Sequence, residues 1–208
     1  MLVKYLSYEQ IEERTRQVLK TYGYESILPI PIERLIDNIL QINVVPFPNL
    51  FKGFEINAFT SNDLKIIYVD EYLYTNLEPQ YRFTLAHEFG HIKLHRYIYE
   101  QVKIRGLEDW GRFMGEVDEK EYRKLEIQAN NFAGLLLVPQ VFLDHHFILQ
   151  IRSLGKSFKR AEMQKLRRDD YLELTMDLIA QNLAPVFAVD PQVIKIRLEK
   201  SRLASKIP

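Results

Sequence analysis

The sequence predicts an α+β fold that is mostly helical, with a small three-stranded sheet packed on a long helix. Three observations support this class. Short segments rich in β-branched side chains lie within residues 42–69, a pattern that favours strands. Residues 78–98 and 118–138 carry helical patterns of apolar side chains. The 208 residues are 47% hydrophobic, which is enough apolar material to build a core around these elements.

The N-terminal elements have recognisable start and stop signals. Ser7 and Gln10 have the spacing of a capping box and predict a helix that ends at Gly23. Pro31 suits the first turn of a second helix. The polar turn Ser61-Asn62-Asp63 predicts a hairpin between two strands. The ranges predicted here are a helix over 32–40 and strands over 42–47, 54–60 and 64–69.

The rest of the chain is predicted to be helical with interruptions. Residues 99–117, with three glycines, predict an irregular segment, and residues 139–168 predict a mixed one. Helices are predicted over 78–98, 118–138, 170–183 and 190–203. Residues 1–150 hold 16 basic and 21 acidic side chains, whereas residues 151–208 hold 12 and 7. We therefore expect a core domain over 1–150 and a basic, helical C-terminal region over 151–208.

Composition excludes several classes of protein and site. The chain has no cysteine, so disulfides, thiolate metal ligands and cysteine nucleophiles are excluded. The first residues lack the apolar run of a signal peptide, and no stretch approaches the length of a membrane span. We expect a cytoplasmic protein without membrane contact. Seven basic residues lie within 151–168, but a net charge of zero favours a solvated surface there over nucleic-acid binding.

The most informative pattern is the sequence His87-Glu88-Phe89-Gly90-His91, which reads H-E-x-x-H within a predicted helix. Positions four apart lie on one face of a helix, so both imidazoles can bind one metal ion. The intervening Glu88 is placed to act as general base on a metal-activated water, as in zinc peptidases. A catalytic zinc ion usually has three protein ligands, so a third His, Glu or Asp must come from another element.

The carboxylate of Glu126 lies on the apolar side of its predicted helix, where a purely structural role does not explain it. Glu126 lies within about 60° of Ala129, Ala133 and Leu137 on the apolar side of its helix. An unpaired buried carboxylate destabilises the fold by several kcal/mol or becomes protonated, and a metal ion removes that conflict. Glu126 is therefore the predicted third ligand.

Other polar residues near this pattern have weaker assignments. Asn130 lies one turn after Glu126, so its amide oxygen can accept the second ring N–H of a metal-binding histidine; capping or bridging backbone elsewhere is the alternative. His95 lies about 12 Å along the helix axis from His87 and is expected to have a structural or rim role. A donor to the transition state could come from Tyr81, from other tyrosines (Tyr97, Tyr99, Tyr122) or from one of the pair His145 and His146, for which a surface position is the alternative.

Two segments in combination resemble the ImmA/IrrE metallopeptidases. Residues 82–91 read RFTLAHEFGH, close to the family's RFTLAHELGH. Residues 126–139 read EIQANNFAGLLLVP, close to its ExEANxFAAxLLMP. Gln128 replaces a frequent glutamate and Val138 a methionine. The resemblance extends roughly over residues 8–203.

This resemblance implies a zincin-like core with His87, His91 and Glu126 as metal ligands and Glu88 as general base. It implies a zinc-dependent endopeptidase, with manganese as the other candidate metal. The implied partner is a protein substrate, a helix-turn-helix repressor of a phage, a mobile element or a stress regulon. The alternative function is a non-catalytic, metal-containing binding module or toxin–antitoxin partner, but the intact Glu88 argues against it because a structural site needs no general base. A nucleic-acid binder using residues 151–168 is the third possibility.

Overall fold

The computed structural model describes residues 3–101, 107–155 and 167–207. These residues form two compact units, 1–137 and 138–208, each described by itself below. Residue 150, where the charge balance changes, lies inside a helix of the second unit. The predicted basic segment lies largely outside the described residues, because they omit 156–166.

The first unit combines helices with one small sheet. Its strands are β1 (Asn43–Phe47), β2 (Ala58–Thr60) and β3 (Ile66–Asp70). Its helices are α1 (Tyr8–Thr21), α2 (Ile32–Arg34, continued by a π-helical turn, Leu35–Ile39), α3 (Leu50–Phe54), α4 (Glu71–Asn76), α5 (Glu78–Leu94), α6 (Arg96–Tyr99), α7 (Leu107–Glu116) and α8 (Glu119–Leu137). The α+β class predicted from the sequence is confirmed.

The sheet has the order β1-β3-β2, with β1 parallel and β2 antiparallel to β3. The predicted hairpin is therefore confirmed, and Phe59 of β2 pairs with Tyr68 of β3. The prediction of a strand from residue 54 is wrong, because α3 occupies residues 50–54 and β2 begins only at Ala58. The side chain of Asp70 explains this helix: its Oδ2 accepts a hydrogen bond of 2.9 Å from the Phe51 N–H, while Leu50 is fully buried.

The core of the first unit lies where α5 packs against α8. Phe89 and Phe132 meet edge to face with ring centroids 5.7 Å apart, and both are fully buried. The α5 helix begins as predicted but ends at Leu94, four residues early, and α6 follows after His95. The α8 helix matches its predicted range closely. Strand β2 also contacts α5, which places the sheet beside the H-E-x-x-H helix.

The prediction of an irregular segment over residues 99–117 is wrong for much of its length. Residues 107–116 form α7 despite Gly111 and Gly115, since an isolated glycine weakens a helix by only about 1 kcal/mol. Leu107 anchors this helix by packing against the buried pair Leu50 and Phe59.

The second unit is helical in its described residues. It contains α9 (Gln140–Ser153), α10 (Arg168–Phe187) and α11 (Pro191–Lys200), followed by a 3₁₀ turn (Ala204–Lys206). The prediction of a mixed segment after Pro139 is wrong for residues 140–153, where Leu143 and Phe147 give α9 a buried side. No single helix in the parts of the chain described here is long and apolar enough to cross a membrane, and two pairs of consecutive helices pass that test only when joined across a bend.

Candidate metal centre and catalytic cleft

Three potential metal ligands from two helices converge in the first unit. The two ring nitrogens that face each other, Nε2 of His87 and Nε2 of His91, are 3.0 Å apart. Each also lies 3.3 Å from one carboxylate oxygen of Glu126. The α5 helix supplies both histidines because one helical turn separates them, and α8 supplies the glutamate across the α5–α8 contact.

The spacing of these donor atoms fits a divalent metal ion. A tetrahedral zinc ion with bonds of about 2.0–2.1 Å sets its ligand atoms roughly 3.3 Å apart, which is close to all three separations in the cluster. Two imidazoles and a carboxylate are also the donor set of catalytic zinc sites. These are the three residues of the described chain whose donor atoms form such a group, all within 4.8 Å of one another.

In the absence of a metal ion, contacts within the cluster shift the pKa values of Glu126 and His87. Burial raises the pKa of Glu126, but hydrogen bonds and charge from His87 and His91 outweigh it and hold that pKa well below its usual value. Burial lowers the pKa of His87, yet contact with Glu126 outweighs this effect and raises the pKa above 6.5. In the metal-free cluster, Glu126 therefore favours the protonated form of His87, and the two histidines favour the ionised form of Glu126.

Asn130 fixes the ring of His87. Its Oδ1 lies 2.9 Å from His87 Nδ1. An amide oxygen only accepts, so His87 must donate from Nδ1. Nε2, which faces Glu126, is therefore the nitrogen that can release its proton and bind a metal ion. This is the contact that the one-turn spacing of Glu126 and Asn130 predicts.

Glu88 is oriented by a residue of the sheet. The Thr60 hydroxyl of β2 donates a hydrogen bond of 2.6 Å to Glu88 Oε2, and Glu88 is 5% exposed. Tyr99 lines the same cleft as Thr60 and Glu88. One carboxylate oxygen is thus held by the protein, which fixes the plane of the group.

A cleft of about 280 Å³ opens beside these residues. One wall consists of β2 and the residues before it, from Glu55 to Thr60. The opposite wall carries His87, Glu88 and His91 from α5. The catalytic and metal-binding side chains predicted from the sequence therefore face one cavity, all of whose lining residues belong to the first unit.

Some of the side chains predicted as transition-state donors lie at the cleft. Tyr99 and Tyr122 line the cleft. Burial raises the pKa of both hydroxyls, and the negative charges of Glu88 and Glu126 raise the two values further, so both remain protonated donors at neutral pH. Tyr81 instead packs edge to face on Tyr74 with ring centroids 5.1 Å apart.

The two other proposed donors, His145 and His146, lie on α9 of the second unit. The rings of the pair are 5.4 Å apart, and His146 packs against Phe187 with a centroid distance of 5.8 Å. Burial lowers the pKa of His146, and the neighbouring His145 lowers it further.

Sequence reasoning missed several residues around the centre. The sequence pattern assigns Thr60 only to a strand, and the motif comparison marks Gln128 only as a departure from the family pattern. For His95 the sequence predicts a structural or rim role; the rim is excluded, because His95 is 1% exposed and its Nδ1 lies 3.1 Å from His91 Nδ1. Burial lowers the pKa of His95 to about 3, so its ring is neutral. The signal for Gln128 was available, since this polar residue neighbours the apolar stripe of α8 and is 4% exposed.

Comparison with known proteins identifies one related family. The model of the IrrE N-terminal-like domain, a family of M78 peptidases, matches residues 42–199. The match includes β1, α5 and α8, and therefore every residue of the candidate metal centre. No curated protein matches the chain significantly.

Proposed function

Because the chain belongs to the IrrE N-terminal-like family of M78 peptidases, we propose that it is a zinc-dependent endopeptidase that cleaves a helix-turn-helix transcriptional repressor. The membership confirms the resemblance inferred from the two motifs and identifies the chain as a metallopeptidase. Zinc, the substrate class and the roles of individual residues are the proposed part. The observation that supports them best is the approach of His87, His91 and Glu126 to 3.0–3.3 Å beside a buried Glu88.

The proposed chemistry divides between the metal ion and the chain. A divalent ion held by His87, His91 and Glu126 would lower the pKa of water and would polarise the scissile carbonyl. Glu88 accepts the proton of the attacking water and delivers it to the leaving amine. The Thr60 hydroxyl occupies Oε2 of Glu88, so Oε1 is the oxygen left to exchange this proton.

The cleft suggests how a peptide segment binds. Strand β2 pairs with β3 along one edge and lines the cleft. An extended substrate segment could add to the cleft side of β2 through backbone hydrogen bonds, which would hold the peptide with little selection of its side chains. The phenol groups of Tyr99 and Tyr122 are the donors that we propose for the oxyanion of the transition state.

A cleavage assay tests this function. The purified protein, loaded with zinc or with manganese, would be incubated with the helix-turn-helix repressor encoded nearest to its own gene, and the products would be identified by mass spectrometry. We expect a single specific cut that requires metal and is absent with Glu88→Gln. Binding of the repressor without cleavage would support the non-catalytic alternative. A cut that persists in Glu88→Gln would overturn the mechanism.

A further inference from the structure

A chain of hydrogen-bonded polar groups connects His91 with the N-terminal segment. His91 Nδ1 is 3.1 Å from His95 Nδ1. The other nitrogen of His95, Nε2, is 3.2 Å from Gln128 Oε1. The amide nitrogen of Gln128 is 3.0 Å from the backbone carbonyl oxygen of Lys4. Four groups thus form a continuous path from the N-terminal segment to a candidate metal ligand.

The direction of every hydrogen bond in this path follows from its fixed end. A carbonyl oxygen only accepts, so Gln128 must place its NH₂ group toward Lys4 and its oxygen toward His95. An amide oxygen also only accepts, so His95 carries a proton on Nε2. The nitrogens of His95 contact an amide oxygen and another imidazole rather than a carboxylate, and the ring is 1% exposed, an environment that favours the neutral form.

In neutral His95 the protonated Nε2 leaves Nδ1 as an acceptor. The hydrogen atom of the His91–His95 hydrogen bond must then be bonded to Nδ1 of His91, which is the donor. With its proton on Nδ1, His91 has a free lone pair on Nε2, the nitrogen that faces His87 and Glu126.

We propose that Gln128, acting through His95, is a positioning group that holds His91 in the tautomer able to bind metal. This inference rests on the metal-binding role proposed for His91. Asn130 Oδ1 holds the Nδ1 proton of His87 directly. An amide oxygen therefore orients each of the two histidines, and for His91 the imidazole of His95 lies between. The break between α5 and α6 allows this arrangement, because His95 lies just after the last helical residue, Leu94, and its ring meets His91 one turn earlier.

The path also explains two observations that the fold alone does not. Gln128 is an uncharged amide buried to 4% exposure beside the apolar stripe of α8, and each of its polar atoms has a partner. The N-terminal segment, through the Lys4 carbonyl, contributes to the orientation of a residue 87 positions later in the chain. Loss of one acceptor would leave the next group free to rotate or to change tautomer.

Two variant pairs and two measurements test the proposal. The first measurement is the ¹⁵N chemical shifts of the histidine rings in the metal-free protein, which report the protonated nitrogen of each ring. The second is zinc affinity by competition with a chromophoric chelator. His95→Phe keeps a ring but removes the acceptor, whereas His95→Asn restores an acceptor near the position of Nδ1. Gln128→Met removes the amide at similar length, and the exposed Gln80→Met on α5 is its control.

We expect the His91 proton on Nδ1 in the wild type and a 10- to 100-fold loss of zinc affinity in His95→Phe and Gln128→Met. His95→Asn should recover part of that loss, and Gln80→Met should bind zinc like the wild type. Unchanged affinity in both acceptor-removing variants, or a His91 proton on Nε2 in the wild type, would overturn the proposal. If a variant fails to fold, the ¹⁵N shifts of His91 in the wild type still decide whether the proposal holds. Wild-type protein that binds no zinc would refute the proposed function instead, while the ring shifts would still test the path.

Discussion

Gly90 of α5 lies against Phe132 of α8 so closely that a Cβ atom on Gly90 would be 3.2 Å from both Cβ and Cδ1 of Phe132. The same Cβ would lie 3.2 Å from the Ala129 carbonyl oxygen. Glycine therefore sets the distance between the helix that carries the two histidines and the helix that carries Glu126. A side chain at this position would press on backbone, which has little freedom to move.

Gly90→Ala is expected to weaken both the fold and the metal centre. Overpacking should outweigh the gain in helix propensity and reduce the free energy of unfolding by about 1 to 2 kcal/mol. A shift of α8 by a few tenths of an ångström would also move Glu126 away from the histidines and reduce zinc affinity. Denaturant unfolding and chelator competition measure the two effects. Gly111→Ala on α7, where a Cβ would have no neighbour within 4 Å, should stabilise the protein slightly. Equal effects of the two substitutions would contradict this explanation.

Substitution of glutamine should have different effects at the two carboxylates of the cleft, Glu126 and Glu88. Glu126→Gln removes the proposed anionic ligand and should abolish stoichiometric zinc binding, because a neutral amide oxygen is a poor zinc ligand. Glu88→Gln should keep one zinc ion per chain and reduce cleavage by about 10²- to 10⁴-fold, because only the general base is lost. Metal content after dialysis and cleavage rate give the two readouts. Glu119→Gln, at the exposed start of α8, is the matched control and should change neither.

The two phenols of the cleft can be separated from the metal site. Tyr122→Phe and Tyr99→Phe should retain zinc but lower the cleavage rate constant, and loss of a true oxyanion donor reduces it by about 10²- to 10³-fold. The substrate KM should change little, because the hydrogen bond strengthens only in the transition state. Tyr81→Phe serves as control, since that ring packs on Tyr74. Wild-type cleavage rates in both variants would show that neither phenol is the oxyanion donor, and other groups, including His145 and His146, would become the candidates.

Metal-free and metal-loaded protein should have opposite dependences of stability on pH. The raised pKa of His87 contributes stability that is complete below 6.5 and is lost as pH rises through the folded-state value. The lowered pKa of Glu126 contributes stability that is present above 4.5 and is lost as pH falls through its folded-state value. The ion pair therefore stabilises the metal-free protein most between pH 4.5 and 6.5.

Zinc binding reverses this trend because protons compete with the metal for the same nitrogens. The difference in Tm between loaded and metal-free protein should grow steadily from about pH 5.5 to about pH 8. Thermal unfolding with and without excess zinc, in buffers that do not bind metal, measures it. In the Glu126→Gln variant the difference should be small throughout. A Tm difference that is constant across this range would show that His87 and His91 are not ligands.

A buried arginine fixes the start of α5. Arg82 is 5% exposed, its guanidinium binds both carboxylate oxygens of Glu33 at 2.9 and 2.7 Å, and it also donates to the Ile30 carbonyl at 2.6 Å. Arg82→Met should destabilise the protein by about 1 to 3 kcal/mol, because it removes the charged donor of the buried Ile30 carbonyl, whereas Glu33, whose side chain is 38% exposed, can bind water instead. Arg123→Met, an exposed i,i+4 partner of Glu119 on α8, should reduce stability by at most about 0.5 kcal/mol. Denaturant unfolding compares the two variants, and similar losses would mean that the buried guanidinium of Arg82 contributes no more than a surface ion pair.

Local sequence patterns predicted the elements whose signals are strong. The capping box of α1 is present with both hydrogen bonds, and α8 occupies almost its predicted range. Errors occurred where a contact distant in the chain decides the local structure. Residues 50–54 form a helix because Asp70, far along the chain, accepts a hydrogen bond from the Phe51 N–H. The end of α5 at Leu94 likewise accompanies the contacts of His95 with His91 and Gln128.

Helical periodicity in the sequence is enough to show that two histidines share a helix face and that Glu126 lies on an apolar stripe, because helical geometry repeats with a fixed period. The approach of these groups to 3.0–3.3 Å is a result of packing, since that distance depends on the close contact of Gly90 with Phe132. Tertiary structure also brought Thr60 to Glu88, and Gln128 to His95. Such contacts join residues 28 and 33 positions apart, and no periodic pattern in the chain encodes them.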